Sequence, residues 1–141
     1  MKPRLLNLLV CPACGQKLRS ESGTWLSGEL AEGALQCDCG RAYAVSSFIP
    51  RLVPEEPGRK QSRTRRSFGY QWLRHLSTDE AEDRAVFFER TGVTPEFLKG
   101  KLVLDAGCGM GRYLNVCRQH ECEVVGMDLS EAVNRARETA Q

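Results

Sequence analysis

The chain has 141 residues, of which 41% are hydrophobic and 13 are Gly, with 20 basic and 18 acidic side chains leaving a net charge of +2. That length holds one ordinary domain or two small ones, and the apolar share is that of a globular protein rather than a disordered one. The near balance of charge does not give the single-sign field of a dedicated nucleic-acid binder or membrane-surface protein, and no apolar run is long enough to span a bilayer.

The first residues, Met1-Lys2-Pro3-Arg4 and then Leu5-Leu6-Asn7-Leu8-Leu9-Val10-Cys11, imitate a secretory leader. Asn7 interrupts the apolar stretch, which is short and lacks the small residues of a cleavage site. A reducing, cytoplasmic setting is therefore expected. Seven cysteines, an odd number, then point to metal ligands and buried thiols rather than to a disulfide framework.

Composition divides the chain near residue 54. Residues 1–53 carry four cysteines and β-prone pieces such as Thr24-Trp25-Leu26 and Ala42-Tyr43-Ala44-Val45 without helical periodicity, which predicts a small loop-and-hairpin domain. Residues 54–66, from Pro54-Glu55-Glu56-Pro57-Gly58 through the charged run Arg59 to Arg66, read as a solvated linker. Residues 67–100 read as a helical lead-in. Phe68, Trp72, Leu73 and Leu76 share one helical face; Ser77 and Glu80 form a capping box for a helix through Arg90 that stops at Gly92. Thr94 caps a short helix begun by Pro95 and ended by Gly100. From 101 to 141 the pattern becomes strand (102–104), helix (112–120), strand (123–127) and a helix from 131 capped by Ser130, the start of a doubly wound α/β sheet.

Cys11-Pro12-Ala13-Cys14-Gly15 and Cys37-Asp38-Cys39-Gly40 offer four thiolates in two close pairs. Four soft ligands at tetrahedral reach are what Zn2+ prefers, and a unit of this size has too small a core to do comfortably without a staple. The alternative is a set of reduced core cysteines in a unit that has lost its metal. The single residue between Cys37 and Cys39 is expected to strain the usual knuckle, in which loop N–H groups donate to the first sulfur. Residues 5 to 53 resemble the zinc-ribbon-like domain found in front of, or as partner to, some methyltransferases, through these two motifs, Arg41-Ala42-Tyr43 and Phe48-Ile49-Pro50-Arg51-Leu52. Ala44 and Phe48 stand where that family usually has Pro and Gly. The resemblance implies a domain for structure and for contact with a protein partner or substrate. Four cysteine ligands also leave no open position for catalysis by the metal.

Leu102-Val103-Leu104-Asp105-Ala106-Gly107-Cys108-Gly109-Met110-Gly111 sets three alternating glycines between a strand and a helix, so that backbone N–H groups can approach a ligand closely. The spacing is Gly-x-Gly-x-Gly, not the Gly-x-Gly-x-x-Gly of dinucleotide loops, which disfavours a nicotinamide enzyme. Asp105 would repel a pyrophosphate but suits a cationic ligand, and S-adenosylmethionine carries a sulfonium and an ammonium group. A second strand ends in another acid, Asp128, placed to accept from ribose hydroxyls 17 residues after Gly111.

Residues 101 to 133 resemble the first two motifs of class I S-adenosylmethionine-dependent methyltransferases. By that resemblance Asp105, Gly107, Gly109 and Gly111 hold the methionyl end of S-adenosyl-L-methionine and Asp128 the ribose. Phe68-Gly69-Tyr70-Gln71-Trp72 resembles a segment upstream of such domains. Cys108, Cys117 and Cys122 read as small or core thiols, and His75 and His120 as surface residues. No nucleophile constellation is visible and no catalytic residue is assigned; methyl transfer needs mainly proximity and orientation.

The fold expected is α/β: an incomplete Rossmann-like methyltransferase domain preceded by a small β-rich zinc-ribbon-like domain. The chain reads as the N-terminal portion of a methyltransferase, inactive alone, whose acceptor is unassigned. The competing expectation is a non-catalytic zinc-ribbon interaction module with a vestigial cofactor segment. Neither a membrane nor a nucleic acid is indicated as a partner.

Overall fold

The computed structural model describes residues 1–53 and 79–139. The chain divides into two compact units, Met1–Pro57 and Gly58–Gln141. The expected linker at 54–66, the Phe68 to Leu76 face, His75 and Ser77 lie outside the described residues.

In the first unit a short helix α1 (Pro3–Leu8) precedes four antiparallel strands, β1 (Arg19–Leu26), β2 (Glu29–Gln36), β3 (Ala42–Ser46) and β4 (Ile49–Pro50), arranged in that order. The helix corrects the expectation of a purely loop-and-hairpin unit. Its six residues are too few to show a period, but Pro3 suits the first turn and Leu5, Leu6 and Leu9 pack on the core. The hairpins explain themselves through backbone sign. Ser27 and Gly28, between β1 and β2, both have positive φ (50° and 78°), as do Ser47 and Phe48 between β3 and β4 (49° and 65°), which matches the right-handed twist of the paired strands. Phe48 thus occupies a left-handed position, the reason a glycine is natural there. Its N–H is tied to the Ala31 carbonyl at 2.8 Å.

Alternation along β3 turns Tyr43 and Val45 inward and Ala42 and Ala44 outward. They close a core with Met1, Cys11, Leu18, Leu30, Leu35 and Cys37. Gly23 and Gly33 face each other across β1 and β2, and a Cβ on Gly23 would lie 2.5 Å from the Leu30 Cδ1, so the bare backbone lets Leu30 bury completely.

In the second unit α2 (Glu80–Thr91) and α3 (Pro95–Leu98) precede β5 (Leu102–Ala106), α4 (Arg112–Gln119), β6 (Glu123–Met127) and α5 (Ala132–Thr139). The helix expected from Ser77 is capped instead at Asp79, whose Oδ1 accepts from the N–H groups of Ala81 at 2.9 Å and Glu82 at 3.2 Å. Aspartate caps as well as serine, and three acids in the next turn complement the helix N-terminus. Gly92 ends the helix in the left-handed conformation, and Thr94 caps α3.

β5 and β6 pair in parallel from Leu102 opposite Glu123 to Ala106 opposite Met127, with α4 as crossover. This is one βαβ unit of mixed α/β class; a larger doubly wound sheet is not among the described residues. Cys108, Leu114, Val124 and Ala136 form its small core. Gly126 makes room for it, since a Cβ there would meet Leu114 Cδ1 at 2.7 Å and Cys108 Sγ at 2.9 Å. On the opposite face Leu102, Leu104 and Met127 are 50%, 61% and 56% exposed. No described helix is long and apolar enough to cross a membrane.

Candidate functional sites

Two hairpin-like loops deliver the four predicted sulfurs to one place. In the first, the N–H of Cys11 donates to the Gln16 carbonyl at 2.7 Å while Gly15, at φ 73°, turns the chain back. In the second, the N–H of Cys37 donates to the Arg41 carbonyl at 2.9 Å and Gly40, at φ 85°, plays the same part. Each Cys-Gly ending therefore supplies the left-handed residue that closes its loop.

The sulfurs of Cys11, Cys14, Cys37 and Cys39 all lie within 4.8 Å of one another. Cys11 Sγ is 3.7 Å from Cys39 Sγ, and Cys14 Sγ is 3.5 Å from Cys37 Sγ. Tetrahedral zinc with Zn–S bonds of about 2.3 Å requires sulfurs about 3.8 Å apart, so the arrangement fits the ion. The feared strain in the shorter loop is met by the backbone: the Cys39 N–H still reaches the Cys37 sulfur, where the longer loop gives Cys11 the N–H groups of Ala13 and Cys14. Cys11 and Cys37 are buried, Cys14 and Cys39 exposed.

Without metal the four thiols are unequal. The Tyr43 hydroxyl beside it, aided by the loop N–H groups, lowers Cys11 to about 6 against the cost of burial. Cys37 keeps the Cys39 N–H, yet burial and the neighbouring sulfurs push it up to about 12. Tyr43, 3.3 Å from Cys11 Sγ, was not recognisable as a member of the site from sequence beyond its place in the family-like motif. Outside this site, Asp38 pairs with Arg19 of β1 through both carboxylate oxygens, fixing the tip of the second loop to the sheet.

The second predicted site also comes together. Asp105 and Asp128 stand at the carboxyl ends of β5 and β6, with the glycine loop between strand and α4. Gly107, Gly109 and Gly111 have φ of 92°, 53° and 90°, so all three need the left-handed region. The loop is tied to the next strand end: the N–H groups of Gly107 and Cys108 donate to the Met127 carbonyl at 2.7 and 3.0 Å, and that of Gly109 to Asp128 Oδ2 at 2.9 Å. Asp128 Oδ1 accepts from the Ser130 N–H at 2.7 Å and its hydroxyl at 2.6 Å. Gly111 serves packing as well, since a Cβ there would touch Ala136 at 3.1 Å.

Asp105 differs. Its Oδ2 is buried with no hydrogen-bond partner among the described residues. Burial, then the charge of Asp128, raises its carboxyl above the usual range. The Cys108 thiol, pushed up to about 12 by burial and then by these two acids, stays neutral. Cys117 is a core thiol, and Cys122 donates to its carbonyl at 2.9 Å. His120, expected at the surface, is half-buried with its ring edge-on to Phe88 at 5.2 Å between centroids.

No curated protein matches this chain. Residues 2–46 match the family model described as Trm112p-like protein, a span that contains α1, β1 to β3 and all four clustered cysteines.

Proposed function

We propose that the first unit is a structural-zinc module that contacts a protein partner of the methyltransferase class and performs no chemistry itself. The carrying observation is the four-sulfur cluster inside the span similar to Trm112p-like proteins, a family whose members work as partners of methyltransferases. Four thiolates complete a tetrahedral shell, so the ion holds the two loops together and offers no position to a substrate. Cys11, Cys14, Cys37 and Cys39 are its ligands in this reading. The test is to mix the zinc-loaded chain with purified methyltransferase catalytic domains from the same genome and measure complex mass by light scattering. A discrete complex that is lost when a chelator strips the metal is expected; no complex with any of them sinks the reading.

A second reading concerns the other unit, and one observation favours it. The buried, unpartnered oxygen of Asp105 beside Asp128 makes an anionic corner at the edge of a left-handed glycine loop, which suits a cationic ligand. In this reading the βαβ unit begins a class I methyltransferase domain, with Asp105, Gly107, Gly109, Gly111 and Asp128 toward S-adenosyl-L-methionine. A carboxylate has about four acceptor directions, and Asp128 already uses three, so it retains room for one ribose hydroxyl unless Ser130 turns away. Isothermal titration of the intact chain with S-adenosyl-L-methionine tests it: binding weakened by Asp105→Asn supports the reading, and absence of any heat of binding counts against it.

A further inference from the structure

We propose that Tyr43 is a positioning residue of the metal centre, its hydroxyl donating a hydrogen bond to the Cys11 thiolate and holding that sulfur in the ligand set. The inference rests on the zinc reading above. Tyr43 is buried on β3, opposite Leu35 of β2, and its hydroxyl reaches across the core to Cys11, 32 residues earlier, at 3.3 Å. In the metal-free protein either group could be the donor. A zinc-bound sulfur has no proton, so loading the ion fixes the direction: the phenol donates and the thiolate accepts.

The need for such a donor follows from burial. Zinc with four thiolates carries a net charge of about −2, which must be spread over hydrogen bonds where water is excluded. Cys14 and Cys39 are exposed and can be hydrated, and Cys37 has the Cys39 N–H. Cys11 is 1% exposed, and besides the N–H groups of its own loop the Tyr43 hydroxyl is what reaches it. The hydroxyl also links β3 to the first loop, so it fixes where that sulfur sits relative to the second loop. Groups that hydrogen-bond to metal ligands typically change metal affinity about 10- to 100-fold when removed.

The experiment compares the full-length chain with Tyr43→Phe, which keeps the ring, and with Val45→Ala, which perturbs the same strand and core but removes neither a sulfur ligand nor a hydrogen bond to one. Zinc affinity is read by competition with a chromogenic chelator, and the ligand field by the thiolate-to-metal charge-transfer band of the Co2+-loaded protein. Tyr43→Phe should bind zinc about 10- to 100-fold more weakly and shift the cobalt band, while Val45→Ala should lower thermal stability and leave the band in place. Equal affinity and an unchanged band in Tyr43→Phe overturn the inference, as does an equal effect of both variants, which would make Tyr43 a packing residue only. Should Tyr43→Phe not fold, scalar coupling between the Tyr43 hydroxyl proton and 113Cd in the unmodified protein decides, its presence supporting and its absence refuting. Failure of the unmodified chain to take up zinc ends both readings, whereas normal uptake with an indifferent Tyr43→Phe ends this one alone.

Discussion

Asp83 of α2 and Arg112 of α4 are joined through one carboxylate oxygen, which accepts from both Nε, at 2.7 Å, and a terminal nitrogen of the guanidinium. The Asp83 side chain is only 5% exposed and that of Arg112 31%. The first residue of α4 is thereby locked to the helix before the βαβ unit, close to the glycine loop. Removing one partner of a buried pair strands the other charge. Arg112→Met should destabilise the second unit by about 3 kcal/mol, the low end for such pairs because the guanidinium is partly hydrated, while Asp83→Leu with Arg112→Met should recover most of the loss. Amide exchange along α4 in the intact chain measures both; equal destabilisation by single and double variants would contradict this account.

The metal centre predicts a steep acid limit. Zinc binds thiolates, so protons compete for all four sulfurs, and affinity falls as pH falls. Cys37, held up to about 12 without metal, makes that competition severe. Metal released by stepwise acidification should leave together with the sheet signal of the first unit in circular dichroism. Retention of that signal after complete loss of zinc would show that the core stands without the staple.

Asp105 gives a pH dependence of opposite sign. Its carboxyl is raised in the folded state, first by burial and then by Asp128, so its favourable contribution is complete below the unfolded value of about 4 and is lost as pH rises through the folded one. Asp105→Asn should therefore stabilise β5 at neutral pH, a gain that shrinks on acidification. Exchange rates of the β5 amides at two pH values test this, and a gain independent of pH would remove the buried charge from the explanation.

Asp128 holds the glycine loop by the Gly109 N–H. In Asp128→Ala that amide should exchange about 10- to 100-fold faster, while the pairing of β5 with β6 persists. An unchanged Gly109 rate would mean the loop is held by its own geometry.

Legibility followed the range of the interactions involved. The strands at 102 and 123 and the Thr94 and Ser130 caps depend on neighbours in sequence, and the structure has β5, β6, the Thr94 bond to Phe97 and the Ser130 bond to Ala132. The four cysteines meet across 23 and 28 residues and are legible only because their residue type and paired spacing name a shared metal. Asp79 displaced the expected Ser77 as cap because both residue types can accept the first N–H groups, and only three-dimensional context chooses between them. α1 leaves no signal in the sequence because fewer than two turns carry no period. Tyr43 meets Cys11, and Arg112 meets Asp83, across 32 and 29 residues, and no local pattern announces such partners.

The exposed apolar side chains of the β5–β6 ribbon bear on how the protein is handled. Leu102, Leu104 and Met127 make a greasy ladder two strands wide, and parallel sheets are normally clad on both sides. Two copies meeting there would cover each other's apolar side chains. Crowding, more than heat, should then govern how long a preparation stays clear, and dilute handling or a mild detergent should extend that time.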